Sequence, residues 1–400
     1  MIYLDNASTT KIDPMVLEEM MPYLTEEYGN PGNLHTLGRN ARKAIEDARK
    51  KVAAFVNARD YRSIVFTSGG TEANNMVFNH YGRLRDVYDV MISSVEHDSV
   101  IHSALRLKED FCSRDTYYVR PDENGKITFE GFRRAIEEDC KTEVSFGDSA
   151  LTSWTPKIGL VSIMYMNNET GVTNDVANIG KYCNENGILF HTDAVQAAAC
   201  VQLDVQEIGC DFMSLSSHKI HGPKGIGALY VKDFSKMIPL ILGGSHQELG
   251  KRGGTENVSG IVGFGKACEL MMNDQTNFND IVNYFMIQLS ESLNGFGLRD
   301  ILHVNGNQLG NNRKTINIRF DGVDAETLMF FLDYKGVYIS AGSACRSFEQ
   351  EPSRVLLEMG LSPEQARNSI RVSFSRFSTS KEAFEAAKAI AEIVKILRGV

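Results

Sequence analysis

Two residues, each closing an apolar run, define the chemistry open to this chain. Lys219 stands in Ser214-Leu215-Ser216-Ser217-His218-Lys219-Ile220-His221-Gly222-Pro223-Lys224-Gly225. A strand-type run (Phe212, Met213, Leu215) delivers a hydroxyl pair, an imidazole and a lysine into a Gly/Pro turn, and a second strand-like run, Ile226 to Val231, follows. A lysine fixed at the edge of a core loses hydration, which disfavours its ammonium and leaves an amine able to attack a carbonyl. Asp193 closes the run Gly187 to Asp193 and is followed by Ala194-Val195-Gln196-Ala197. An aspartate at a buried strand end needs several donors or a cationic partner, and a protonated pyridine nitrogen is such a cation.

A lysine for an aldehyde and an aspartate for a pyridinium are what pyridoxal phosphate requires of a protein. A place for its phosphate is offered by Ser68-Gly69-Gly70-Thr71-Glu72-Ala73-Asn74-Asn75, which turns from the strand Ile64 to Thr67 into a helix. There Gly70 lets the backbone approach an anion while the first free amides and the Thr71 hydroxyl point at it. The Walker A lysine pattern and the G-x-G-x-x-G spacing are absent, which weakens readings as an ATP or NAD site. Cys345 lies in Ser340-Ala341-Gly342-Ser343-Ala344-Cys345-Arg346-Ser347-Phe348, among small residues and beside a cation that favours the thiolate. Arg371 begins the run Ile370 to Phe374, and a guanidinium can hold a carboxylate in two parallel bonds or serve in a structural ion pair.

These groups need a frame. Strand-type runs (64–67, 90–95, 158–164, 187–193, 212–216, 226–231) alternate with helical patterns such as Leu37 to Val56, which predicts an α/β fold with a mostly parallel sheet. Thr71, His97, Asn168, Asp193, Gln196, Ser216, His218 and Lys219 all fall at or just beyond carboxyl ends of those strands, the edge where open α/β sheets bind ligands. Helices resume near Ile261 and strands return at 315–320, 337–340 and 370–374. The expected division is therefore a large unit, 15–260, and a smaller α/β unit made of 1–14 and 261–400, the latter carrying the Cys345 loop. Residues 141–157, with Trp154, show no clear pattern and are expected to be a surface insertion.

Composition narrows the class. Four hundred residues, 42% of them hydrophobic, can bury two cores, and 42 basic against 51 acidic residues give a net charge of -9, which disfavours nucleic acid as a partner. Seven scattered cysteines without a C-x-x-C pair predict free thiols in a reducing cytoplasm and no metal centre. No apolar stretch is long enough to cross a membrane, and the start, Met1-Ile2-Tyr3-Leu4-Asp5-Asn6, has no leader-like pattern.

The chain resembles the cysteine desulfurases (group I), in the class V aminotransferase branch of fold type I pyridoxal-phosphate enzymes. The resemblance rests on Tyr3-Leu4-Asp5-Asn6-Ala7-x-Thr9-Thr10, Gly29-Asn30-Pro31 with Leu34-His35, the Lys219 segment, and Ser343-Ala344-Cys345 with Glu351-Pro352-Ser353. It implies that Lys219 holds the cofactor, that His97 stacks on its ring and shares in proton transfer, and that Asn168 contacts the ring oxygen and the substrate carboxylate. It further implies that Arg371 binds that carboxylate and that Thr255 reaches the phosphate of a partner subunit in a homodimer. Cys345 is implied to accept sulfur from L-cysteine and pass it to an iron-sulfur scaffold or a thiolation enzyme. Arg346 and Phe348 depart from the small polar residues of that family, and Ser245-His246 lengthen the glycine-rich loop by one residue. Rival readings are another class V enzyme, an aminotransferase or selenocysteine lyase, or a non-catalytic member of a sulfur-transfer complex.

Overall fold

The computed structural model describes residues 1–84, 88–111, 115–139, 142–146, 149–154, 157–306, 312–342 and 351–400. Cys345, Arg346 and Phe348 lie outside the described residues. In chain order the strands are β1 (Ile2–Tyr3), β2 (Ile64–Thr67), β3 (Asp89–Ser93), β4 (Thr116–Val119), β5 (Thr142–Phe146), β6 (Ser149–Trp154) and β7 (Ile158–Ser162). They continue as β8 (Leu189–Asp193), β9 (Phe212–Ser216), β10 (Gly227–Val231), β11 (Leu302–Asn305), β12 (Thr315–Phe320), β13 (Val337–Tyr338) and β14 (Ser369–Ser373).

Seven of these form one sheet in the order β2-β10-β9-β8-β7-β3-β4, parallel except where β10 runs against both β2 and β9. Every residue of β2, β3, β9 and β10 is buried. Strands covered on both faces need such continuous apolar runs, and helices supply the cover. The Thr36–Phe55 helix presents Ala41, Ala44, Ile45, Ala48 and Val52, the periodicity its sequence carries. The Val258–Met272 helix packs against it, and Gly265 permits the close approach, since a Cβ there would stand 2.8 Å from Ala48 Cα. On the opposite face Met76, Val77 and Phe78 of the Gly70–Gly82 helix join Val65, Val90 and Ile92 in a second apolar cluster.

A second sheet, β11-β12-β14, is antiparallel, and the helices Phe278–Gly295 and Ser380–Leu397 pack on one another beside it. The latter begins with a capping box between Thr379 and Glu382. The chain start returns to this region: β1 pairs with β13, and Asp5 bridges to Ser373 of β14. The segment expected to lack pattern instead holds an antiparallel pair, β5 with β6. Its Thr, Val and Phe residues at alternate positions carry strand preference that a loop-like content of Ser and Gly conceals. Among the described residues no helix is long and apolar enough to cross a membrane, and no cluster of His, Cys, Asp and Glu is suited to a metal.

Candidate active site

The carboxyl ends of β2, β3, β7, β8 and β9 open on a cavity of about 250 Å³. Gly70, Thr71, His97, Asn168, Asp193, Gln196, Ser216, His218, Lys219 and Arg371 all line it, so these expected residues are brought together. Thr255 is not among its walls and is exposed.

Lys219 ends a single turn, Ser217–Lys219, that caps β9. Its Nζ donates to the carbonyls of Ala7 at 2.6 Å and Ser8 at 2.7 Å. A neutral amine has two N–H groups and one lone pair, so two carbonyl acceptors satisfy it and leave the pair for the cavity. Burial first, then the nearby charges of Arg371 and Lys314, push the Lys219 amine down to about 7, against the opposing pull of Asp5 and Asp193. Burial, with Lys219, Lys224 and Lys314 adding to it, pushes the neighbouring His218 down to about 4, so its imidazole is neutral at physiological pH. Its Nδ1 meets the Thr9 hydroxyl at 3.1 Å, and its carbonyl accepts from Thr10 Oγ1 at 2.9 Å. The N-terminal Ala7-Ser8-Thr9-Thr10 stretch, which composition reads as a turn, is thus a wall of the site.

Asp193 is fixed by two donors. Its Oδ1 accepts from the Val195 amide at 3.0 Å and its Oδ2 from Asn74 Nδ2 at 2.8 Å. Asn74 also donates to Ser99 Oγ at 2.9 Å, and Ser99 Oγ meets His97 Nδ1 at 2.8 Å. Because the Ser99 amide donates to that same Nδ1, a neutral His97 carries its proton on Nε2. Sequence reasoning missed Asn74, although a residue four positions after Gly70 shares the helix face that meets the cavity. Gln196 lines the cavity and its Nε2 donates to the Ala7 carbonyl at 2.9 Å, which braces the N-terminal wall.

Arg371, 2% exposed, donates through Nη1 to the Asn168 carbonyl at 3.0 Å and through Nη2 to Asp5 Oδ1 at 2.9 Å and Ser8 Oγ at 2.6 Å. Its buried Nε has no partner among the described residues. Asn168 is presented by a turn in which Asn167 Oδ1 accepts from the amides of Glu169 and Thr170. Below His97, burial pushes the Glu96 carboxyl up to about 8 despite donors from Ser93 and Met164, with Asp193 adding to the rise. Arg354 bonds the carbonyls of Ser94 and Glu96, and Ser353 bonds Glu169.

The Gly70–Gly82 helix starts at the cavity without a side-chain cap, which leaves its first amides for an anion. Its Glu72 pairs with Arg252 at 2.9 Å and so ties the glycine-rich loop to the cradle. The same loop is anchored by Glu248, which takes both Nη atoms of buried Arg49 at 2.8 Å and the Phe66 amide at 2.8 Å. This turn holds Glu248 and Leu249 at φ 43° and 55°, a left-handed pair that costs about 1–2 kcal/mol per residue and persists because the ion pair fixes it. The two residues follow the Ser245-His246 lengthening after one intervening residue, Gln247. A carboxylate with two donors, an amine that readily gives up its proton near neutral pH and an uncapped helix start around one cavity fit pyridoxal phosphate.

The aminotransferase class-V family model matches residues 2–384. Over 403 residues the chain is 36% identical to cysteine desulfurase IscS of Methanosarcina thermophila, covering 100% of this chain and 93% of that protein. Over 400 residues it is 37% identical to a cysteine desulfurase of Bradyrhizobium diazoefficiens, covering 99% and 95%. Among solved structures, a NifS-like protein superposes with a TM-score of 0.84 at 29% identity over 99% of both chains. SspA in complex with cysteine does so with a TM-score of 0.76 at 32% identity, over 95% of this chain and 100% of that one. With the family model spanning almost the whole chain and full-length relatives of this kind, the chain belongs to the class V aminotransferase family of pyridoxal-phosphate enzymes and, within it, to the cysteine desulfurases.

Proposed function

We propose that this enzyme takes sulfur from L-cysteine with pyridoxal phosphate, releases L-alanine, and keeps the sulfur as a persulfide on Cys345. The observation that carries the reading is the Lys219 amine sharing one cavity with the doubly held Asp193 carboxylate and the buried Arg371 guanidinium. Lys219 would hold the cofactor aldehyde, Asp193 the pyridine nitrogen, and the start of the Gly70–Gly82 helix with Thr71 the phosphate, with His97 against the ring and Gln196, Ser216 and His218 around it. When bound, the cofactor supplies an electron sink that makes the substrate Cα–H acidic. Arg371, with Asn168, fixes the substrate carboxylate, which aims Cα at Lys219. The Lys219 amine, free of its proton over much of the neutral range, takes the Cα proton, and the His97 imidazole stands within the same cavity to share in it. The Cys345 thiolate forms an S–S bond with the substrate sulfur as the Cβ–S bond breaks. The electron pair passes to Cβ, which takes a proton and leaves as alanine.

Three further parts belong to this reading. A homodimer in which Thr255 completes the partner's phosphate site is supported by the exposure of Thr255 and of Tyr28, Leu34, Leu242 and Leu249 on adjacent loops; a monomer in sedimentation equilibrium removes this part. The division into 15–260 and 1–14 with 261–400 is supported by the two separate sheets and by β1 joining β13. A cytoplasmic, reducing setting is supported by Cys183, Cys200, Cys210 and Cys268 being free thiols, and an iron-sulfur scaffold or thiolation enzyme as acceptor rests on the resemblance to the cysteine desulfurases.

The test is sulfide and alanine release from L-cysteine with a reductant, by the wild type, Lys219→Ala and Cys345→Ala. Equimolar products are expected from the wild type. Lys219→Ala should be colourless and about 10³-fold slower or worse, whereas Cys345→Ala should keep the colour and lose about 99% of sulfide release. Alanine without sulfide, or an undiminished Cys345→Ala, overturns the reading.

A further inference from the structure

We infer that Arg354 is a positioning residue for His97: its guanidinium holds the main chain on both sides of that imidazole and so sets where the ring stands for proton transfer at the substrate Cα. The turn in question leads from β3 into the helix Asp98–Phe111, and Ser94, Val95 and Glu96 within it are buried. Buried carbonyls need donors, and here side chains supply them. Arg354 Nη1 donates to the Ser94 carbonyl, Asn167 Nδ2 to the Val95 carbonyl at 3.1 Å and Arg354 Nη2 to the Glu96 carbonyl at 2.5 Å. Nη2 also stands 3.5 Å from Asp98 Oδ1. Arg354 therefore grips the residue before His97 and the residue after it. A planar fork with separate N–H groups can reach two carbonyls and a carboxylate at once, which an ammonium donating from a single point does not do.

Arg354 is itself held at its base. It opens the helix Arg354–Glu358, capped by Ser353, whose Oγ accepts from the Leu356 amide at 3.2 Å and donates to Glu169 Oε2 at 2.5 Å. Glu169 is buried and directly follows Asn168, so the side chain that sets the His97 turn is fixed to the turn that presents Asn168. The imidazole is oriented separately, by the Ser99 amide at 3.1 Å and the Ser99 hydroxyl at 2.8 Å, both on Nδ1. Ser99 chooses the rotation of the ring, and Arg354 chooses where its backbone lies. Because His97 and Ser99 line the cavity while Arg354 is not among its walls, the influence of Arg354 on the chemistry passes through the turn. Without the guanidinium two buried carbonyls lose their donor, the turn shifts to recover one, and a displacement of about 1 Å in a reacting group can cost on the order of 100-fold in rate.

This inference rests on the proposed place of His97 beside the cofactor. Exchange of the L-alanine Cα proton for solvent deuterium, read by NMR on the full chain loaded with pyridoxal phosphate, needs the cofactor and Lys219 but no thiol. Exchange by the wild type and its loss in Lys219→Ala test the underlying reading, and a double-mutant cycle of Arg354→Ala with His97→Ala tests Arg354. Arg354→Ala should lower the maximal exchange rate about 10- to 100-fold with the KM for L-alanine within about twofold, and should have less than about a twofold further effect once His97 is gone. In the cofactor-free chain, carbethoxylation of the His97 peptide by diethyl pyrocarbonate, followed by mass spectrometry, should be several-fold faster in Arg354→Ala, because a shifted turn frees Nδ1 from Ser99. Far-UV circular dichroism checks the fold; if Arg354→Ala misfolds, Arg354→Lys, which keeps a donor for one carbonyl, takes its place with a smaller loss and the same dependence on His97. An equal loss with and without His97 overturns the inference, as does unchanged exchange with reduced sulfide release, which would assign Arg354 to the sulfur-transfer step.

Discussion

Two buried clusters of charge sit in this molecule, one beside the edge strand β2 and one at the carboxyl ends of β8 and β9, and they are balanced differently. Beside β2, Arg49 and Glu248 are 2% and 3% exposed and meet through paired bonds of 2.8 Å. The remaining capacity of the pair goes to the Ile64 carbonyl, the Phe66 amide and Glu46. No buried side-chain nitrogen or oxygen of the pair lacks a partner, so the cluster binds parts of the chain to each other. At the cavity, Arg371 meets Asp5 through Nη2 while its buried Nε has no partner among the described residues, and Lys219 bonds the backbone carbonyls of Ala7 and Ser8 instead of a carboxylate. Buried donors without a partner, beside a helix start without a side-chain cap, call for an anion from outside. A substrate carboxylate and a cofactor phosphate are such anions. The closed cluster is architecture, and the open one is a site.

The comparison breaks most visibly at Glu248. Glu248→Ala leaves buried Arg49 with only the partly exposed Glu46 as counter-ion and the Phe66 amide without its acceptor, which should cost about 3–5 kcal/mol in urea unfolding with little change in the KM for cysteine. An intact unfolding midpoint with lost activity would instead make the 243–257 loop part of the site. Arg371→Lys probes the open cluster from the other side. It keeps a charge and loses the two-pronged grip, so KM should rise about 10- to 100-fold while stability changes by about 1 kcal/mol. If stability falls and KM holds, Arg371 serves its ion pair with Asp5 and the carboxylate is bound elsewhere.

The open cluster was legible in the sequence where a single local cue suffices. Lys219 and Asp193 each end an apolar run of strand type, and their convergence follows from parallel strands sharing one carboxyl edge. Lys314 carries no such cue: after Asn312 and Arg313 it reads as one more polar residue before a strand, and its burial comes from the Lys219 turn, 95 positions away. Arg49 and Glu248 meet across 199 positions, and neither residue type nor spacing announces the other. The wall formed by Ala7 and Ser8 was hidden for another reason, since it acts through backbone carbonyls, which any residue supplies.

A finer test asks how far the open cluster depends on a neutral side chain within it. Asn74 spends one N–H on Asp193 and the other on Ser99, and Ser99 meets His97, so one amide links the expected pyridinium partner to the expected stacking ring. In Asn74→Ala, Asp193 still has the Val195 amide, which limits the loss to about one hydrogen bond to a charged group, on the order of 1–2 kcal/mol. Cofactor dissociation, followed by loss of visible absorbance on dilution, should be about tenfold easier, with unfolding nearly unchanged. Asn74→Asp should be worse than Ala, because a second carboxylate beside Asp193 raises the proton affinity of both and weakens the claim on a pyridinium. Equal behaviour of the two variants would mean that Asn74 fills space between the helix and β8 and that Asp193 is oriented by its strand alone.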